Sequence, residues 1–427
     1  DEFEHQFFKQ PKEKVVAAYA RRINNYLGPN KVGTAHIEAL HDLGYIPMVI
    51  NALPEGSSVP IRVPMFTMYN TRPEFFWLTN YFETLLSTTV WMPCNSATIA
   101  KQYRRILDHY AAATSSVPEF VDWQGHDFSM RGMAGLEAAQ MSAAGHLLSF
   151  TGTDTIPSID FLEQYYNANS DEELVGGSVA ATEHSVMCMG TNTGEQQTFD
   201  RLITAVYPGG IVSIVSDTWD LWKVLPEYLP TLKSEIMARD GIVVIRPDSG
   251  DPVDIICGNP NGATEIERKG VIESLWETFG GTTNDKGYKE LDPHIGAIYG
   301  DSITLQRATQ ICERLKNKGF ASTNVVLGVG SFTYQYNTRD TFGFAMKATY
   351  GEVDGEGREI FKDPITDDGT KKSAKGLLKI TLENGVYTLH DQVDWAAEKT
   401  GELQEVFRDG QLLRDEKLAD IRARLKG

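Results

Sequence analysis

From about residue 121 to residue 333 one rhythm repeats along the chain: an apolar run stops in a polar or glycine-rich cluster, and a helix-like segment follows. The runs end at 150–154 (FTGTD), 176–184 (GGSVAATEH), 214–217 (IVSD), 245–248 (IRPD), 298–301 (IYGD) and 326–330 (VLGVG). Most are spaced by about one βα unit of roughly thirty residues. The spacing of Leu305, Ala308, Ile311, Cys312 and Leu315 predicts a helix over 304–318, with Gly319 at the C-cap position. Polar clusters at successive strand ends are what a β/α barrel uses, because its βα loops converge on one mouth. A doubly wound sheet is the alternative, and it brings fewer strand ends to any one crevice.

The flanks have a different texture. Residues 14–27 and 97–113 carry apolar positions at threes and fours and predict helices, and 46–64 predicts short strands. The aromatic stretch 75–86 is expected to pack inside. Beyond Arg339, two β-patterned runs at 377–382 and 386–389 flank Asn384-Gly385, a hairpin signal. The tail 415–426 predicts a solvated, amphipathic helix. The fold class is therefore α/β: a β/α barrel over 121–335 and a second, discontinuous α+β domain built from 1–120 and 336–427.

Composition narrows the function classes. The chain has 427 residues, 41% hydrophobic and 23% charged, with a net charge of −18. That balance argues against broad nucleic-acid or membrane-surface binding, so an anionic ligand must be held by a few local cations and backbone N–H groups. Cys94, Cys188, Cys257 and Cys312 form no paired motif. A reducing, cytoplasmic setting is expected. No apolar stretch approaches a membrane span, and the first residues resemble no signal peptide.

The candidate chemistry lies at the strand ends. In IRPDSGDP (245–252) an arginine and two aspartates interrupt an apolar run. Arg246 and Asp248 either close a turn by a salt bridge or stand ready for a ligand, and Pro247 between them favours the second. Asp217 and Asp301 suit ribose hydroxyls or a hydrated Mg²⁺, although Asp301 also suits a helix N-cap. Gly300-Asp301-Ser302 and Gly328-Val329-Gly330-Ser331 offer backbone N–H groups for phosphate. His126-Asp127-Phe128-Ser129-Met130-Arg131 supplies an aromatic face and an arginine. His184 is a lone histidine at a strand end. Together these residues read as a site for a phosphorylated sugar and a flat ring.

The ordered series HDFSMRG (126–132), FTGTDT (150–155), ATEHS (181–185), IVSD (214–217), VIRPDSGDP (244–252), YGDSI (299–303), LGVGSFTYQYNTRD (327–340) and FKDP (361–364) resembles the nicotinamide phosphoribosyltransferases, type II phosphoribosyltransferases. The resemblance implies an α/β barrel with a second domain from both chain ends, in a homodimer with active sites at the interface. It implies nicotinamide, phosphoribosyl pyrophosphate and ATP as small-molecule partners, with Mg²⁺. By this resemblance Phe128 stacks on the nicotinamide ring, and Asp154 accepts from its carboxamide and so selects amide over acid. Arg131 and Arg246 lie against phosphates and ligand. Asp248, Gly300 and Asp301 hold ribose and 5′-phosphate, with Ser178 and Asp217 nearby and Gly330 and Ser331 on the phosphate. His184 matches a histidine phosphorylated by ATP. Arg339, Lys347 and Lys362 match cations that reach across from the partner subunit. Asp217 and Asp248 are the expected Mg²⁺ residues, acting through water.

Two features depart from the family pattern. A segment containing Asp-Ser-Tyr-Lys, whose tyrosine covers the other face of the base, does not occur in these 427 residues and is expected ahead of Asp1. The glycine-rich run after the last barrel strand is replaced by Gly330-Ser331-Phe332. The competing readings are a nicotinate phosphoribosyltransferase on the same fold and a non-catalytic nucleotide-binding protein.

Overall fold

The structure is a computed structural model that describes residues 3–361 and 373–426. The chain forms two compact units, Asp1–Thr89 with Phe342–Glu416, and Val90–Thr341 with Lys417–Gly427. These bounds differ from those read off the sequence. The helix Leu78–Thr114 runs unbroken through Pro93, and the division falls inside it.

The second unit holds seven parallel strands: β1 Gly125–Asp127, β2 Gly152–Thr153, β3 Ala180–Ala181, β4 Val212–Val215, β5 Val243–Arg246, β6 Ile295–Tyr299 and β7 Val325–Val329. β1 pairs with β2, each of β3 to β6 pairs with the strand that follows it, and β7 returns to β1 through Leu327↔Gly125 and Val329↔Asp127. The ring closes where β2 meets the residues just ahead of β3. Gly152 bridges Gly177, the Thr153 N–H donates to the Gly177 carbonyl at 3.0 Å, and the Gly177 N–H donates to Thr151 at 2.8 Å. Consecutive parallel strands joined by helical crossovers make a β/α barrel. Every strand ends at one of the polar clusters, so their C-terminal ends collect the candidate residues.

The barrel strands are short, and Val212, Ile214, Val215, Val243, Ile245, Leu327 and Val329 are all fully buried. The helix after β6, Leu305–Asn317, buries Ala308, Ile311, Cys312 and Leu315, with Thr304 as its N-cap and Gly319 at φ +78 just past its end. The C-terminal helix Leu418–Lys426 is not the solvated tail expected. Leu418 and Ile421 are buried, and Arg422 donates to the carbonyls of Leu147, Leu174 and Val175. Its charged pattern misled because the guanidinium spends its donors on backbone rather than water.

The other unit carries a four-stranded antiparallel sheet of Phe66–Asn70, Met48–Ala52, Gln404–Arg408 and Gln411–Leu412. The hairpin Leu377–Glu383 with Val386–Val393 turns at Asn384 and Gly385, both at positive φ as a two-residue hairpin turn requires. The aromatic stretch is only partly internal: Phe75 and Leu78 are buried, whereas Phe76, Tyr81 and Leu85 are exposed. Among the described residues no helix is long and apolar enough to cross a membrane.

Candidate active site

Phe128 stands at the end of β1, and its N–H donates to the Val329 carbonyl on β7 at 3.0 Å. Its ring comes close to the backbone of the neighbouring strands, which carry glycines there. A Cβ on Gly328 would fall 2.4 Å from the ring, and one on Gly300 would be 3.6 Å from it. The Arg246 guanidinium covers the ring at 5.6 Å from its centroid, and Arg246 Nε is buried with no hydrogen-bond partner. An aromatic face beside an unpaired arginine donor suits a flat, polar ring or an anion attached to one.

Asp154, one step past β2, borders this pocket. Its Oδ1 accepts from His126 Nε2 at 2.8 Å and from the Ser178 hydroxyl at 2.7 Å. Burial raises its pKa, but the hydrogen bond and charge of His126, the Ser178 hydroxyl and the Arg246 charge outweigh burial, so the carboxyl sits below its ordinary value. It is a carboxylate at neutral pH. The backbone around it is set by Asp127, fully buried, which takes the Ser129 N–H and hydroxyl on one oxygen and the Thr153 and Thr155 hydroxyls on the other.

Across the mouth, β4 and β5 place Asp217 and Asp248. Asp217 Oδ2 accepts from the backbone N–H groups of Asp248 and Ser249, both at 2.8 Å, which ties the start of the RPDSGDP loop to β4. Asp217 Oδ1 is buried with no hydrogen-bond partner. Asp248 Oδ1 lies 3.0 Å from His184 Nε2, and His184 Nδ1 is 3.1 Å from the Thr218 hydroxyl. Because a carboxylate only accepts, the His184 Nε2–H donates to Asp248, which leaves Nδ1 facing the Thr218 hydroxyl. Ligand atoms of His184, Asp217 and Asp248 lie within 4.8 Å of one another. Burial, then the charges of Asp301, Asp217, Asp248 and Asp251, push the Tyr299 phenol well up. Several carboxylates thus gather at the mouth, where a phosphate gains from a cation beside it.

Asp301 does not cap the helix that follows. Thr304 does, its hydroxyl accepting from the Arg307 N–H at 3.2 Å, while Ser302 turns through φ +48. Asp301 is thereby left exposed at the mouth, with no hydrogen bond among the described residues. Gly330 precedes the short helix Ser331–Gln335, and Ser331 lies so close to Gly132 that a Cβ there would clash with its hydroxyl. Arg131 is exposed and pairs with Glu183 at 3.1 Å. Arg339 is exposed and pairs with its neighbour Asp340. Lys347 is exposed in the other unit. Lys362 lies outside the described residues. His126 and Thr218 are the contacts that sequence reasoning left unassigned. Their partners are 28 and 34 residues away on adjacent strands, and only the barrel's sequential order links them.

The model of the nicotinate phosphoribosyltransferase (NAPRTase) family matches residues 123–411, which contain the whole barrel. A nicotinamide phosphoribosyltransferase of Acinetobacter baylyi is 55% identical over 426 residues, 98% of this chain and 84% of that protein. One of Mycoplasma pneumoniae is 39% identical over 78% of this chain and 71% of its own length. One of Xanthomonas campestris pv. campestris is 36% identical over 89% and 79%. On this similarity and on a barrel whose every strand ends in the matched motifs, the chain belongs to the nicotinate phosphoribosyltransferase family.

Proposed function

We propose that the protein joins nicotinamide to phosphoribosyl pyrophosphate, giving nicotinamide mononucleotide and pyrophosphate. One observation carries the choice of base: an ionised Asp154 beside the Phe128 ring. A carboxylate accepts from a carboxamide NH₂ and repels a second carboxylate, so the pocket suits nicotinamide over nicotinate. The relatives named for nicotinamide agree with this choice, although the family model bears the name of the acid.

The ring nitrogen is already a nucleophile and needs no general base. Its lone pair forms the bond to ribose C1′ while the bond from C1′ to the pyrophosphate oxygen breaks, and the electron pair leaves with pyrophosphate. Phe128 and Asp154 fix the ring in line with C1′, Arg246 faces the ligand, and Asp248 and Asp301 accept from ribose hydroxyls. Gly300, Gly330 and Ser331 leave the backbone open to phosphate. A Mg²⁺ ion would fit the pair Asp217 and Asp248, since Asp217 Oδ1 is an orphaned buried oxygen and the two carboxylates lie in one cluster. When bound, such an ion supplies charge neutralisation on the leaving pyrophosphate. His184 presents Nδ1 as the phosphate acceptor from ATP, which would couple ATP hydrolysis to synthesis. Arg339, Lys347 and Lys362 act as phosphate-reaching cations from a second copy in a homodimer.

The test is product formation from phosphoribosyl pyrophosphate and Mg²⁺ with nicotinamide or nicotinate, with and without ATP, separated chromatographically. Nicotinamide mononucleotide as the main product, raised by ATP, is expected. Product from nicotinate alone overturns the role of Asp154 while keeping the reaction type.

A further inference from the structure

Asp154 carries base selection in the proposed reaction, whereas His126 on the neighbouring strand has no part in it. Yet His126 is buried inside β1, and its Nε2 lies 2.8 Å from Asp154 Oδ1. With a carboxylate as its partner, Nε2 is the protonated nitrogen. Ser178 donates to the same oxygen from β3's approach at 2.7 Å. Oδ1 is thus held from two sides, by a strand before Asp154 and a loop after it. The carboxylate cannot swing without breaking one of these bonds, and Oδ2 keeps no protein partner among the described residues. Gly152 makes room for this arrangement, since a Cβ there would stand 2.6 Å from His126 Nδ1. The imidazole also leans on Phe128, with ring centroids 4.7 Å apart. One side chain therefore touches both the stacking face and the amide acceptor.

We infer that His126 is a specificity-determining positioning residue: its Nε2–H and the Ser178 hydroxyl hold the Asp154 carboxylate with Oδ2 alone turned to the ligand. The inference rests on the reading of this pocket as the nicotinamide site. Without the imidazole, the carboxylate gains freedom to turn and take water, and both amide binding and acid rejection weaken. The chemistry at the ring nitrogen and C1′ is touched less, because His126 reaches neither.

The experiment measures kcat and KM for nicotinamide and nicotinate in the full chain and in His126→Ala, Asp154→Ala, the double variant and His126→Gln. Loss of a hydrogen bond to an ionised group predicts that His126→Ala raises the nicotinamide KM about tenfold, with a smaller change in kcat. The amide-to-acid ratio of kcat/KM falls by about the same factor. His126→Gln, which keeps an N–H donor, restores most of the ratio. In the Asp154→Ala background, removing His126 lowers the ratio no further, because the residue acts only through that carboxylate. An unchanged ratio in His126→Ala, or additive losses in the double variant, overturns the inference. Turnover of neither base by the unmodified chain defeats the proposed reaction instead, and nicotinamide titrated calorimetrically into the same proteins then reads the same cycle from Kd.

Discussion

Replacing Asp217 with alanine removes one acceptor from two backbone donors at once, the N–H groups of Asp248 and Ser249. The Asp217 side chain is 6% exposed, so water does not replace it at the Asp248 N–H. Ser249 is exposed, and its N–H regains a water partner. Hydrogen bonds to an ionised acceptor are worth about 1.5–3 kcal/mol each, so with one lost outright and one partly recovered the loop loosens by about 3 kcal/mol. At 1.4 kcal/mol per decade that is roughly a hundredfold in the local opening constant. Asp217→Asn keeps a carbonyl acceptor for both donors at neutral strength and should give up about half as much. Hydrogen–deuterium exchange of a peptide spanning 243–251 reads the loop directly, beside kcat/KM for phosphoribosyl pyrophosphate. Exchange should order as wild type, then Asn, then Ala, with activity falling in step. If exchange is unchanged while activity is lost in both variants, Asp217 works on the ligand or its cation alone, and the bracing argument fails.

Three further changes probe other parts of the mouth. Gly328→Ala puts a Cβ 2.4 Å from Phe128 and 2.9 Å from the Gly300 backbone, so the ring must give way. A stability loss of about 1–3 kcal/mol and a raised nicotinamide KM are expected, and an unchanged KM would remove Phe128 from base stacking. His184→Ala should abolish stimulation by ATP and leave some basal synthesis, since the chemistry at C1′ does not pass through the imidazole; loss of both would place His184 in that chemistry. Glu195 is buried, and burial first, then the Asp220 charge, push it up to about 7. The folded chain keeps this proton to higher pH than the unfolded chain, so stability is lost as pH rises from 4.5 through about 7. Glu195→Gln should flatten that decline in thermal midpoint and be the more stable protein above pH 7, and an undiminished slope would assign the decline elsewhere.

Local pattern carried the barrel well because each βα unit is nearly self-describing: an apolar run of strand length, a polar stop, a helix with its own caps. Gly319 marks the end of its helix in the residues alone. What failed to show depends on contacts between units. Asp301 and Thr304 are both competent N-caps, and only the φ +48 turn at Ser302 decides for Thr304 and leaves Asp301 exposed at the mouth. Arg422 reads as a solvent-facing charge until three carbonyls from 147 to 175 come within its reach. His126 stood inside a recognised motif, yet its bond to Asp154 follows only from β1 lying beside β2. The unit outside the barrel was the least legible, since its sheet joins strands from residues 48 to 412 and no periodicity encodes so distant a pairing.

The barrel has a seam. Six of its junctions are ladders of paired strands, but the seventh is a single bridge between Gly152 and Gly177. Immediately outside that bridge the Ser178 hydroxyl reaches Asp154, so the residue that would grip the base also stitches the ring shut. A ligand taking Asp154 Oδ2 would steady the partner of the Ser178 hydroxyl, and so add to the two backbone hydrogen bonds that hold the hem. The site and the closure of the scaffold thus share a residue, and a substitution at Asp154 should loosen the hem of the barrel as well as its grip on the base.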